Sequence, residues 1–168
     1  MQRAPSVSAV HRLRLSLVGT VLAVAGLGFP GASAAGSAPP STAPRCQLTQ
    51  GSGGDPFYKP NAPVRSRVGT GFVLTGTVRS GIDCAAMRGV RVELWVRGPD
   101  GQYDDVHRGT VITDGNGRYR FESNFPGGGF PHIHVRVAAS GYRPLEIRYV
   151  PRSGATAGVL DLVLEPEV

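Results

Sequence analysis

From Phe72 onward the chain is a succession of short segments in which apolar and polar residues alternate, each closed by a glycine-rich turn. Phe72–Arg79 and Val90–Arg97 alternate with period two, and Val90, Val92, Leu94 and Val96 share one face. Residues 109–113, 118–123, 132–139, 145–150 and 159–164 continue the pattern to seven strands. Between them stand Gly98-Pro99-Asp100-Gly101, Asp114-Gly115-Asn116-Gly117, Gly127-Gly128-Gly129 and Ser140-Gly141. No amphipathic helix period follows residue 46. Short strands at regular spacing with tight turns specify an all-β, antiparallel β-sandwich of about seven strands.

The residues before Phe72 do not join that pattern. Arg3, Arg12 and Arg14 precede an apolar stretch from Leu15 to Phe29, and Ala32-Ser33-Ala34 supplies a small-x-small cleavage signal. Residues 1–34 therefore read as a secretory signal peptide, too short in its apolar run for a membrane span. Export follows, with no membrane association after the leader is cleaved. Residues 35–45 are small, polar and proline-rich, a flexible linker. Residues 46–70, rich in Gly, Pro and Ser, read as an irregular arm across the sandwich of residues 71–168.

Removing the leader lowers Lys+Arg from 18 to 15 against 12 acidic residues, so the net charge falls from +6 to +3. The remaining arginines are scattered among strand residues. That is a solvated sheet face, not a nucleic-acid footprint. Two cysteines, Cys46 and Cys84, remain in the exported chain, and an even count in that compartment suggests a bridge from the arm to the segment after the first strand.

One strand carries a candidate site. In Pro131-His132-Ile133-His134-Val135, alternation puts Ile133, Val135 and Val137 on one face and His132, His134 and Arg136 on the other. Two imidazoles on adjacent same-face positions can grip one metal ion. Tyr103, in Asp100-Gly101-Gln102-Tyr103, is a third candidate ligand, and Asp104 and Asp105 offer alternative oxygens beside it. Trp95 lies on the polar face, where either a ring-binding pocket or a covering arm would use it. His107 can support the site or sit in an exposed loop. Arg136 can neutralise a substrate carboxylate or pair with a strand neighbour.

These segments, taken in order, resemble the secreted intradiol ring-cleavage dioxygenases of the catechol and protocatechuate dioxygenase type. Cys46-Gln47-Leu48-Thr49, Asp55-Pro56-Phe57-Tyr58 and Pro63-Val64-Arg65-Ser66 resemble that family's arm. Leu74-Thr75-Gly76-Thr77-Val78 and Gly89-Val90-Arg91-Val92-Glu93-Leu94-Trp95 resemble its first core strands. Asp100-Gly101-Gln102-Tyr103, Arg108-Gly109, Thr113-Asp114, the run Gly117 to Phe121, Phe125-Pro126-Gly127 and His132-Ile133-His134 follow. The resemblance implies a prealbumin-like sandwich and a mononuclear non-haem Fe(III) centre, with Tyr103, His132 and His134 as ligands and catalytic residues. It implies cleavage of a catechol-type diol between its hydroxyl-bearing carbons, with both atoms of dioxygen inserted. The chain departs from the pattern in two places. Pro126-Gly127 is followed by Gly128-Gly129-Phe130-Pro131 and then His132, so the family's second tyrosine ligand is missing, with Gly129 or Phe130 near its place. The arginine that usually precedes the histidines is missing too. With one anionic donor lost, zinc, copper or ferrous iron become realistic occupants beside Fe(III). Tyr119, Tyr142 and Tyr149 remain as substitutes, Tyr119 reading more simply as a packing aromatic. The alternative is a non-catalytic exported β-sandwich that kept the fold as a binding module and lost ring cleavage.

Overall fold

A computed structural model describes residues 46–167 other than residue 56. The leader and linker expected over residues 1–45 lie outside the described residues. Eight strands follow in order: β1 (Phe72–Ser80), β2 (Arg91–Val96), β3 (Arg108–Ile112), β4 (Arg118–Ser123), β5 (Ile133–Ala138), β6 (Leu145–Tyr149), β7 (Ala157–Val159) and β8 (Leu162–Leu164). Among the described residues there is no helix long and apolar enough to cross a membrane.

The strands form two sheets. One runs β4-β1-β7, with β8 also paired to β1, and the other runs β3-β2-β5-β6. The inner faces supply the core. Phe72, Leu74, Val78, Phe121, Leu162 and Leu164 from the first sheet meet Val92, Leu94, Val96, Ile133, Val135 and Val137 from the second, all of them buried. Alternation assigned Val92, Leu94 and Val96, and Ile133, Val135 and Val137, to common faces, and those faces turn inward. Each of the buried side chains contributes about 1.5–3 kcal/mol of burial.

The expected strand 159–164 is two strands, and both run parallel to β1 rather than antiparallel. The interruption has a side-chain cause. Asp161 turns its carboxylate back onto the Thr77 backbone N–H and hydroxyl, both at 2.8 Å, taking a ladder position that a neighbouring carbonyl would otherwise fill. Beside it the Leu160 carbonyl accepts the Tyr119 hydroxyl at 2.7 Å and crowds over Gly76, where any Cβ would collide with it. Tyr119 is therefore a core residue, a packing aromatic.

The polar face of the second sheet is largely covered, with Arg148 on its outer strand left exposed. Cross-strand register stacks two rows on it: Arg108, Trp95, His134 and Arg148, then Thr110, Glu93, Arg136 and Glu146. The arm lies over both. The Thr110 hydroxyl donates to the Ala62 carbonyl at 2.8 Å, and the Tyr58 hydroxyl donates to Glu93 at 3.0 Å. Arg136 pairs with Glu93 and with Glu146, each at 3.2 Å, and lies 4.9 Å above the Tyr58 ring. Arg136 is thus consumed within the sheet. The arm is tied at its start by the Cys46–Cys84 disulfide, with the two Cα atoms 5.5 Å apart.

Candidate metal centre

Three elements deliver three donor atoms to one point. Residues 98–102 turn tightly between β2 and β3, with Gly98 N–H donating to the Gln102 carbonyl and Gly101 at φ +79°. That turn projects Tyr103 toward the start of β5. His132 precedes β5 and His134 lies within it, on the same face by strand period. The Tyr103 hydroxyl lies 3.1 Å from His132 Nε2 and 2.8 Å from His134 Nε2, and the two Nε2 atoms are 2.9 Å apart.

The other nitrogens of the two rings are engaged. His132 Nδ1 lies 2.7 Å from the Phe130 carbonyl, which only accepts, so Nδ1 carries the hydrogen. His134 Nδ1 is paired with the Asp55 carboxylate from the arm. Both rings therefore turn an Nε2 lone pair inward. Burial lowers the pKa of His134 to about 4, the facing Asp55 opposing that shift and His132 adding to it, which keeps the imidazole neutral at pH 7. Burial pushes the Tyr103 phenol above its ordinary value, with Arg97 pulling in the opposite direction.

The triangle thus holds one hydroxyl proton for three mutual contacts, and two lone pairs face each other with none. A cation satisfies all three donors together. Ligands about 2.1 Å from one ion and at right angles lie about 3 Å apart, which is the edge length found. The donors, one hard phenol oxygen and two imidazoles, suit iron and also zinc or copper. Among the described residues no three His, Cys, Asp or Glu side chains converge, so the phenol is indispensable to this cluster.

The surroundings shape a cavity of about 210 Å³ lined by Phe57, Arg97, Tyr103, His132, His134 and Arg148, with Gly54 and Asp55. Ligand pockets typically begin near ~300 Å³, so a single ring is the scale it suits. Phe57 stacks on Tyr103 with centroids 4.4 Å apart, and the Arg97 guanidinium lies 5.2 Å from the Tyr103 centroid. Trp95 does not line this space. It is buried between Tyr58 and His134, stacked on the imidazole at 5.1 Å and 9°. The covering arm, not a ring pocket, accounts for it.

Other candidates have other work. Asp104 caps its own turn, accepting from Val106 N, His107 N and His107 Nδ1, and Asp105 pairs with Lys59 and Arg108. His107 is therefore a turn residue. Tyr142 and Tyr149 pack against the core. The sequence reading assigned no role to Arg97, Arg148 or the pairing of Asp55. Arg97 and Arg148 each had a readable signal. Alternation along 90–97 puts Arg97 on the polar face with Trp95, and alternation along 145–150 puts Arg148 on the face that register shares with His134.

No family model matches the chain. A chlorocatechol 1,2-dioxygenase from Pseudomonas putida is 25 % identical over 115 residues, covering 49 % of this chain and 43 % of that protein, so the chain spans less than half of that curated relative. Solved structures superpose more broadly. The crystal structure of chlorocatechol 1,2-dioxygenase from Pseudomonas putida gives a TM-score of 0.59 at 22 % identity, over 66 % of this chain and 70 % of that one. The dioxygenase domain of a dioxygenase–carbohydrate-binding protein fusion from Streptomyces sp. SirexAA-E gives 0.61 at 24 %, over 72 % and 100 %. An intradiol ring-cleavage dioxygenase from Tetranychus urticae gives 0.63 at 20 %, over 72 % and 96 %. The protein is an all-β sandwich with the fold of the intradiol ring-cleavage dioxygenases. The resemblance carried by the ordered sequence segments and the three-dimensional likeness lead to that same class.

Proposed function

We propose that the chain is an exported non-haem iron dioxygenase of the intradiol type, acting on a small catechol-like diol with dioxygen. The observation that supports it most is the convergence of Tyr103, His132 and His134 while both Nδ1 atoms are otherwise engaged. Fe(III) held there would supply Lewis-acid activation of the diol toward dioxygen, whose two atoms end in a muconate-type diacid.

The chain's own residues have separate tasks. Tyr103 would release its phenol proton to solvent as the ion binds and so serve as an anionic donor. Phe57, stacked on Tyr103, offers an apolar wall to the substrate ring. Arg97 and Arg148 present positive charge to the cavity, which favours a diol that has lost a proton. They stand where charge is needed although the usual arginine before the histidines is absent.

The missing second tyrosine favours a second reading, a sandwich that binds metal without ring cleavage. Incubating the iron-loaded protein with catechol and following dioxygen uptake separates the two. Stoichiometric uptake with diacid formation supports the enzyme. Iron binding without uptake supports the binding module, and a protein that takes up no metal overturns both.

A further inference from the structure

The centre is one anion short, and a buried carboxylate stands one imidazole away from it. Tyr103 is the lone phenol in the triangle. Asp55, its side chain 6 % exposed, contacts Nδ1 of the ring whose Nε2 faces the metal position. A buried carboxylate is costly unless positive charge compensates it, and an ion on Nε2 would add to what Arg97 and Arg148 bring to the same cavity. Resting on the metal-centre reading above, we propose that Asp55, acting through His134, supplies the second negative charge of the centre in place of the missing phenolate.

The placement is built into the fold. The arm residues before Asp55 run along β6, where Ser52 N–H donates to the Glu146 carbonyl and Arg148 N–H donates to the Ser52 hydroxyl, both at 2.9 Å. A Cβ on Gly51 would sit 3.1 Å from that Glu146 carbonyl, so the approach is close. Trp95, stacked flat on His134, fixes the ring plane. His132 is held differently: a neutral carbonyl, that of Phe130, orients it without adding charge. A carboxylate on Nδ1–H makes the imidazole a more basic ligand, and the two histidines are therefore inequivalent donors. A negative charge carried to the metal this way favours a trivalent ion over a divalent one.

The test compares Asp55→Asn, Asp55→Ala and Asp55→Glu in the disulfide-bonded protein. Asn keeps an oxygen acceptor for Nδ1–H and removes the charge. Fe(III) and Zn(II) affinities are measured by competition with a chromophoric chelator, alongside the tyrosinate-to-iron absorption band. We expect Asp55→Asn to lose about 10–100-fold in Fe(III) affinity, nearly as much as Asp55→Ala. Its Zn(II) affinity should fall less, its absorption band should move to lower energy, and Asp55→Glu should recover most of the loss. Wild-type-like Fe(III) binding by Asp55→Asn, with loss in Asp55→Ala alone, makes Asp55 an orienting residue and overturns the proposal. If wild type itself takes up no Fe(III), the underlying reading fails first, and that failure is seen without any variant. Should the Asn and Ala variants not fold, the wild-type protein loaded with diamagnetic Ga(III) decides. A strongly deshielded Nδ1–H proton on His134, and not on His132, supports the charge-sharing bond, and equal shifts refute it.

Discussion

Replacing Arg136 with Met tests how the arm is held over the site. Arg136 bridges two carboxylates, Glu93 and Glu146, at 3.2 Å each, and covers the Tyr58 ring. The side chain of Glu93 is only 9 % exposed, whereas that of Glu146 is 27 % exposed. Among the described residues, removing the guanidinium leaves Glu93 with the Tyr58 hydroxyl as its remaining partner, while Glu146 can recover water. Stranding one partner of a buried pair costs about 3–5 kcal/mol. Arg136 keeps a fifth of its surface in solvent, which argues for the low end, about 3 kcal/mol. At roughly 4 °C per kcal/mol for a domain of this size, the midpoint falls by about 12 °C. Thermal unfolding of the metal-free protein by circular dichroism measures it. Adding Glu93→Gln should return more than half of the loss, because no charge is then left alone. A drop below about 1 kcal/mol, or a Glu93→Gln change that deepens the loss, would refute the account of this layer. The arm also carries Asp55, so the single variant should bind metal more weakly as well.

Further expectations follow from neighbouring parts of the molecule. His134 is neutral when folded, with a pKa of about 4 against 6.5 unfolded, so the unfolded chain gains protons first as pH falls. Its contribution is complete above pH 6.5 and fades toward pH 4. The metal-free protein should lose stability through this group between about pH 7.5 and 5, a loss that His134→Gln should reduce in chemical denaturation at the two pH values. Gly76→Ala should cost upwards of about 3 kcal/mol, because the new methyl meets the Leu160 carbonyl, and urea midpoints report it. Cutting the Cys46–Cys84 bridge by Cys84→Ser should cost about 4 kcal/mol for a separation of 38 residues, read from the same midpoints.

The strands of both sheets were legible because period-two alternation and glycine turns are local signals. The break at Leu160 and Asp161 was not. Leu160, Asp161 and Leu162 still alternate, and only contact with Thr77 and Gly76 shows that the ladder is interrupted. The parallel pairing with β1 is equally non-local. At the site, the His-x-His period was readable from the strand, and Tyr103 from its place in the ordered segments. Their meeting depends on a turn held by Gly98 and Gly101, which spacing cannot supply. Asp55 stood in a recognisable arm motif, yet its role depends on an imidazole far along the chain. Trp95 and Arg136 each had two sequence readings; the arm's Tyr58 decided the first, and the neighbouring strand carboxylates Glu93 and Glu146 decided the second.

The central claim is that the phenol of Tyr103 and two imidazoles hold one ferric ion. Adding Fe(III) to the metal-free protein and recording its visible spectrum tests this most directly. A tyrosinate-to-iron absorption band should appear at one ion per chain and vanish in Tyr103→Phe. A colourless iron-treated protein, or a band that survives that substitution, would contradict it.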